Sequence, residues 1–195
     1  MKKQNTFGLF SSRRKPARLC GAFLLIMAFF LGGCSSPQGP YMSESDSVAW
    51  TFGPQGIVLN MKASEGLNQY RDRAHTLAMC VYQLSSSKSF DERAQTNEGV
   101  STLVGCQRFD ETVIHFEQIF VTPGENRSVV LDRREGTRAV GLAAGYYASN
   151  PGSCAKSTPI PVETTGVFST RREAAKLVLD LLLERTGMHF VKVER

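Results

Sequence analysis

The sequence predicts an all-β domain, a two-sheet β-sandwich with a small helical insertion, which follows an exported leader. Apolar Ile57, Leu59, Met61 and Ala63 alternate with Val58, Asn60 and Lys62, and this period of two is typical of a half-buried strand. Further runs of this kind are separated by turns rich in Gly, Pro and Asn. One polar stretch, at about residues 87–106, has helical spacing instead. Many strands joined by turns and interrupted by one helical segment are typical of a β-sandwich.

The first 33 residues have the features of a lipoprotein signal peptide. Six basic residues precede an apolar stretch at residues 21–31, which is too short for a stable membrane span. The stretch ends in Leu31-Gly32-Gly33-Cys34, where the small residues leave a peptidase access to the bond before Cys34. This pattern resembles the lipobox of bacterial lipoproteins, so we expect removal of residues 1–33 and covalent lipid on Cys34. A single N-terminal transmembrane helix is the alternative.

The residue after Cys34 indicates which of the two membranes holds the lipidated protein. In the sorting rule of bacteria with two membranes, an Asp at this position marks retention in the inner membrane, whereas this chain has Ser35. The signal therefore resembles that of outer-membrane lipoproteins, and we expect the mature chain to lie at the periplasmic face of the outer membrane. Each buried methylene group of a lipid contributes about 0.8 kcal/mol, so several acyl chains hold a protein far more firmly than one does.

Without its leader the chain is almost neutral. Residues 1–33 hold six of the 23 basic residues and none of the 18 acidic ones, which leaves 17 basic residues against 18 acidic residues. No basic surface is then left to indicate nucleic-acid binding. Residues 34–48, rich in Ser, Pro and Gly, predict a flexible tether after the lipidated cysteine. Residues 49–195 are long enough for one domain with its own core.

The strands can be predicted in chain order. A polar loop at residues 64–74 separates the first two strands, yet it carries Leu67 and Tyr70, which a fully solvated loop does not need. The second strand is apolar on both faces and is therefore expected at the centre of a sheet. The predicted strands before the C-terminal segment are residues 57–63, 76–84, 112–121, 128–131, 138–148 and 158–164.

The C-terminal segment at residues 171–184 has two interpretations. Leucines at every second position, from Leu177 to Leu183, favour a strand, whereas the charged residues recur at helical spacing. Thr186-Gly187 followed by an alternating run favours a hairpin turn and a return strand. We predict the hairpin, because the other strands need partners to bury their apolar faces.

An exported chain meets disulfide-forming conditions, so its cysteines are candidates for a bridge. Besides Cys34 and Cys20 of the leader, the chain has Cys80, Cys106 and Cys154. We favour a disulfide between Cys80 and Cys106, which would join the helical segment to the strand that precedes it, and we place Cys154 after a loop at residues 150–153. Three unpaired thiols are the alternative. The sequence has no paired Cys or His spacing typical of zinc, so no metal is expected.

Four motifs occur in an order that carries a family resemblance. They are Val81-Tyr82-Gln83-Leu84, then Phe90 in the helical segment, then Pro123-Gly124-Glu125, then Val140-Gly141-Leu142-Ala143-Ala144-Gly145-Tyr146-Tyr147. In this order they resemble the TssJ (SciN, VasD) lipoproteins of the type VI secretion system. The resemblance covers about residues 55–165, and the lipobox agrees with it.

This resemblance implies a transthyretin-like sandwich that docks onto and stabilises the C-terminal periplasmic domain of the inner-membrane protein TssM, in a complex with TssL. In that family the loop between the first two strands contacts TssM. The corresponding contact residues here are Leu67, Asn68, Gln69, Tyr70 and Arg71. An exposed Tyr and Leu on a charged loop suit an interface with a polar rim. Alternatively, Leu67 and Tyr70 pack against the edge of the sandwich.

An enzyme is the competing function class, and the sequence does not favour it. The chain has three histidines, His75, His115 and His189, and no nucleophile elbow, phosphate-binding loop or His-Glu-x-x-His motif. We therefore expect no catalysis and no cofactor apart from the covalent lipid. A periplasmic binding lipoprotein of another envelope machine or of the cell wall is the alternative function, because one fold can serve several functions.

Overall fold

The computed structural model describes residues 47–148, 150–166 and 170–194 of the chain. Cys34 and most of the predicted tether lie outside the described residues. Within them the chain forms eleven strands and three short helices. The strands are β1 (Val48–Ala49), β2 (Gly53–Ala63), β3 (Leu77–Leu84), β4 (Val113–Val121), β5 (Asn126–Arg133), β6 (Ala139–Ala144), β7 (Ala155–Pro159), β8 (Val162–Thr165), β9 (Arg171–Ala174), β10 (Leu177–Leu183) and β11 (Met188–Glu194). The helices are α1 (Lys88–Arg93), α2 (Asn97–Val104) and α3 (Pro151–Cys154).

The strands form three sheets, in the orders β11-β10-β2-β5, β4-β3-β6-β7 and β1-β9-β8. In the first sheet β2 pairs parallel to β10 and antiparallel to β5. The period of two predicted for β2 is confirmed, because Ile57, Leu59 and Met61 are buried while the residues between them are less so. The buried side chains of both four-stranded sheets belong to one hydrophobic core.

Strand β3 is central in its sheet and buried on both faces, as the sequence predicts. The predicted helical segment covers one of these faces. The Tyr82 hydroxyl donates a hydrogen bond to the Leu103 carbonyl oxygen at 2.7 Å, and the Tyr82 ring meets the Phe90 ring edge-on at 5.8 Å. Gly141 of β6 makes room for Phe90, since a Cβ atom at that position would lie 2.6 Å from its ring.

Cys80 of β3 and Cys106, just after α2, form a disulfide with their Cα atoms 5.3 Å apart. This is the pair that the sequence analysis favours, and it fastens the helical segment to the sheet that the segment covers. Cys154 is a buried free thiol. It ends the short helix α3, where the sequence analysis expected a plain loop.

The C-terminal hairpin is confirmed, with β10 and β11 pairing antiparallel around residues 184–187. The prediction of one strand at residues 158–164 is wrong. Pro161 lies between β7, which pairs with β6, and β8, which pairs with β9 in another sheet. A proline lacks the backbone N–H that a continuous strand would use, so the chain changes sheets there. In addition, β5 is longer and β6 shorter than predicted.

Strand β2 runs between two ends of the domain, which we call the tether end and the docking end after the sequence-based expectations for them. At the tether end are β1, the start of β2, the end of β5 and the β8–β9 pair. At the docking end are the loop at residues 64–76, the residues after β6 and the β10–β11 turn. Eleven strand residues separate the two ends by roughly 33 Å.

Candidate docking site

The loop at residues 64–76, the docking loop, is held by the hairpin turn beside it. Because β2 and β10 are parallel neighbours, the loop after β2 leaves the sheet next to the turn after β10. The Ser64 backbone N–H donates to the Leu183 carbonyl at 2.8 Å, and the Gln69 N–H donates to the Arg185 carbonyl at 3.0 Å. The docking loop is therefore fixed by main-chain hydrogen bonds although it contains no helix or long strand.

Two of the five predicted contact residues are buried in the structure. Leu67 has no exposed surface and Asn68 is 3% exposed. The Asn68 side chain donates to the Thr76 carbonyl at 3.3 Å and accepts from the Tyr147 backbone N–H at 2.9 Å. We therefore correct the expectation for this pair, since Leu67 packs in the core and Asn68 joins the loop to the end of β6. Neither side chain is available to a partner.

The tip of the docking loop is a tight turn. The Tyr70 N–H donates to the Arg73 carbonyl at 2.9 Å, and the Arg73 N–H returns a bond to the Tyr70 carbonyl at 3.0 Å. The two central residues have positive φ, 48° at Arg71 and 59° at Asp72, as a type I′ turn requires. This turn exposes three charged side chains and sets Tyr70 at its base.

Tyr70 belongs to an exposed aromatic cluster that sequence reasoning did not assemble. Its ring stacks on Tyr147 with 4.8 Å between centroids, and His75 meets Tyr147 edge-on at 5.1 Å. The Arg71 guanidinium lies 5.1 Å from the centroid of the Tyr70 ring. Tyr70 is 44% exposed and Tyr147 57% exposed, so both rings offer apolar area to solvent while they hold one another in place.

Tyr147 is positioned by the buried residue before it. The Tyr146 hydroxyl donates to the Gly187 carbonyl at 2.8 Å, and burial raises the pKa of this phenol above its ordinary value. Gly187 in turn lies close to α3, since a Cβ atom there would come within 2.6 Å of the Ser153 side chain. The pair Tyr146-Tyr147 thus places one ring in the core and the next on the surface.

The surroundings of the cluster are polar and of mixed charge. Gln69 is partly exposed, and His189 lies 3.4 Å from the Glu184 carboxylate on the neighbouring hairpin. Exposed aromatic rings within a charged rim suit binding of a protein surface. The part of the chain that the structure describes contains no cluster of three or more His, Cys, Asp or Glu side chains able to hold a metal ion. In the same residues we find no helix with the length and apolar character of a membrane span.

Comparison with known proteins identifies the family. The family described as type VI secretion lipoprotein (VasD, EvfM, TssJ) matches residues 55–185, about two thirds of the chain. The chain belongs to this family. As a TssJ family member it is a membrane-bound structural lipoprotein of the type VI secretion membrane complex and not an enzyme. No curated protein matches the chain.

Solved structures agree on the fold. This TssJ family member is similar to the lipoprotein TssJ1 of Pseudomonas aeruginosa, with 21% identity and a TM-score of 0.53 over 74% of this chain and 97% of that one. It is also similar to a chain in a structure described as the TssM C-terminal domain from EAEC, with 14% identity and a TM-score of 0.52 over 70% of this chain and 98% of that one. A mostly β fold with small helices is therefore confirmed.

Proposed function

We propose that this chain docks onto the C-terminal periplasmic domain of TssM and stabilises it within a complex that also contains TssL. Residues 1–33 are removed as a leader, lipid on Cys34 holds the chain at the periplasmic face of the outer membrane, and residues 34–48 connect the lipid to the domain at residues 49–195. The exposed aromatic cluster on the docking loop is the observation that carries this proposal.

The cluster has the composition of an interface anchor. Tyr and Arg are enriched among the residues that dominate binding energy, and Tyr70, Tyr147 and Arg71 lie together at one end of the domain. Gln69 and His75 extend this surface. His75 and Tyr147 were not among the five contact residues predicted from the sequence. The loop carrying Tyr70 is also the loop for which the family resemblance implies contact with TssM.

The docking loop is ordered before any partner arrives. Main-chain bonds to the β10–β11 turn and the Asn68 side chain fix its course. Binding then costs less conformational entropy than it would for a loop that must become ordered on contact. The shared core of the two four-stranded sheets supports a transthyretin-like sandwich as the scaffold that presents this loop.

A calorimetric titration tests the docking. The chain beginning at Ser35 is titrated with the C-terminal periplasmic domain of TssM from the same organism, and Tyr70→Ala is compared with Phe52→Ala. Tyr70 is 44% exposed at the docking end and Phe52 is 48% exposed at the tether end, so the two substitutions remove similar exposed rings from opposite ends. Leu67 is left unchanged because its replacement would disturb the core.

We expect Tyr70→Ala to weaken binding at least tenfold, about 1.4 kcal/mol, and Phe52→Ala to leave it unchanged. A matching loss in Tyr147→Ala would extend the site to the end of β6. Unchanged affinity in both tyrosine variants would exclude this surface, and absence of binding by the parent chain would overturn the docking proposal. Mass spectrometry of the protein purified from membranes tests the lipid on Cys34 separately.

A further inference from the structure

The tether end carries an exposed phenylalanine, Phe52, two residues after the half-buried Trp50. Trp50 packs partly against the core, and its carbonyl accepts a hydrogen bond from the Gly136 N–H at 2.7 Å. The Arg138 guanidinium lies 5.8 Å from the centroid of the Trp50 ring. Phe52 is 48% exposed, a large apolar area that the domain itself leaves uncovered. Trp with Arg beside it is a combination suited to the polar boundary of a lipid bilayer.

A buried arginine fixes this surface to the sheet. Arg133 is 5% exposed and donates to the Ala175 carbonyl at 2.7 Å and to the Thr51 carbonyl at 3.3 Å. Burial lowers the pKa of its guanidinium, and the nearby Glu163 carboxylate opposes that change. The side chain passes so close to Gly53 that a Cβ atom there would lie 2.8 Å from a guanidinium nitrogen. The backbone on both sides of Phe52 is thus held in place.

The length of chain before β1 brings this surface close to a membrane. Thirteen residues lie between Cys34 and Val48, and even a fully extended chain of that length spans at most about 45 Å. A short connection of this kind gives the surface an effective concentration at the bilayer in the millimolar range, so a weak contact is enough to keep it occupied.

We propose that the surface formed by Trp50, Phe52 and Arg138 rests on the phospholipid surface to which Cys34 is anchored. The inference rests on the lipidation in the proposed function. It adds an orientation, because seating the tether end on lipid turns the docking loop, roughly 33 Å away along β2, towards the periplasm.

The aromatic side chains, rather than net charge, provide this contact. Charged side chains of both signs lie at the tether end in nearly equal number. The basic side chains are Arg134, Arg138, Arg171, Arg172 and Lys176, and the acidic ones are Asp132, Glu135, Glu163 and Glu173. Arg171 and Glu173 also pair with each other at 2.9 Å. Rings inserted at the level of the headgroups would therefore bind with little dependence on anionic lipid.

The chain has one tryptophan, Trp50, which reports directly on this contact. The full lipidated protein is reconstituted into vesicles of phosphatidylethanolamine and phosphatidylglycerol, with either ordinary or brominated acyl chains. We expect brominated lipid to quench Trp50 emission and the vesicles to protect Trp50 from acrylamide in the buffer. In Phe52→Ser we expect quenching by brominated lipid to fall by about twofold or more.

Phe120→Ser is the matched control. Phe120 is 57% exposed but pairs with Ala78 near the docking end, so this substitution should leave the quenching unchanged. Urea midpoints equal to that of the parent protein show that neither variant has lost its fold. Flotation of each protein with the vesicles shows that the lipid anchor is present.

Emission that brominated lipid does not quench, in protein that floats with the vesicles, would overturn the lipid contact. Equal quenching in Phe52→Ser and the parent protein would remove Phe52 from the contact and contradict the surface as proposed. TssM binding measured on the same vesicles separates the two proposals: binding without quenching refutes the orientation alone, whereas quenching without binding refutes the docking function alone.

Discussion

Replacing Asn68 with alanine tests whether the conformation of the docking loop depends on this one side chain. Asn68 is buried, has a φ of 48°, and bonds both the Thr76 carbonyl and the Tyr147 N–H. The substitution removes two hydrogen bonds, worth about 1 kcal/mol each. It also places a Cβ-bearing residue without a local hydrogen bond in the left-handed region, which costs about 1 kcal/mol more. We expect a total loss of about 3 kcal/mol in the free energy of unfolding.

Urea unfolding followed by Trp50 fluorescence measures this loss, and a thermal melt should show a midpoint lower by roughly 6–12 °C. Asn68→Gly is the control for the backbone, since glycine accepts positive φ while it also lacks the two hydrogen bonds. We expect it to be more stable than Asn68→Ala by about 0.5–1 kcal/mol, with part of the strain relief offset by the entropy of the unfolded glycine.

The same variants link the loop to function. Because Asn68 holds the Tyr147 backbone, Asn68→Ala should separate Tyr147 from Tyr70 and weaken TssM binding although neither ring is altered. An unfolding free energy within about 0.5 kcal/mol of the parent would refute the assigned role of Asn68. Equal stabilities of the alanine and glycine variants would refute the backbone-strain part alone.

Three further variants probe the scaffold around this site. Leu67→Ala, at a position without exposed surface, should cost about 2–5 kcal/mol in urea unfolding, whereas a solvent-exposed contact residue would cost almost nothing. Replacing Cys80 and Cys106 with alanine opens a crosslink between residues 26 apart and should cost about 3.5 kcal/mol, read as a lower urea midpoint than that of the oxidised parent. Hydrogen bonds from the Thr122 N–H and hydroxyl, together with the nearby Arg127 guanidinium, lower the pKa of Glu125 in the folded protein. The ionised Glu125 therefore stabilises the fold above its unfolded pKa of about 4.3, and this stabilisation is lost as pH falls through the lower folded pKa. Glu125→Gln should therefore reduce the loss of stability on acidification below about pH 4.3, and equal acid sensitivity in parent and variant would contradict this.

The parts of the fold that the sequence predicts are those controlled by neighbouring residues. The period of two in β2 and the turn after β10 depend on local pattern and turn chemistry, and both are observed. The helical spacing of charges in the C-terminal segment was misleading because Asp180 points away from the core and accepts a hydrogen bond from Asn60 of β2 at 2.8 Å. That partner is 120 residues away, so only the parallel pairing of β10 with β2 explains a charged residue within this strand.

The small third sheet could not be predicted from the local sequence pattern. Strand β1 has two residues and pairs with β9, from which it is separated by most of the domain. Strand β1 is too short, and β9 too short and too polar, to be distinguished from a loop. The break at Pro161 was visible in the sequence, but the change of sheet that it permits depends on β9 being present beside β8.

The residues of the candidate docking site could be brought together from the sequence only in part, for the same reason. Composition indicated that Leu67 and Tyr70 were unusual for a polar loop, and each was explained by a different environment, Leu67 by the core and Tyr70 by the surface. Tyr147 is 77 residues from Tyr70, so their stacking requires β6 to end beside the docking loop. The sequence does contain a signal for the exposed ring of Tyr147. If the strand geometry continues past β6, two consecutive tyrosines must point in opposite directions, and one of them must then face outward. Two exposed aromatic rings side by side are typical of a binding surface and not of a core, which supports the docking proposed for this end of the domain.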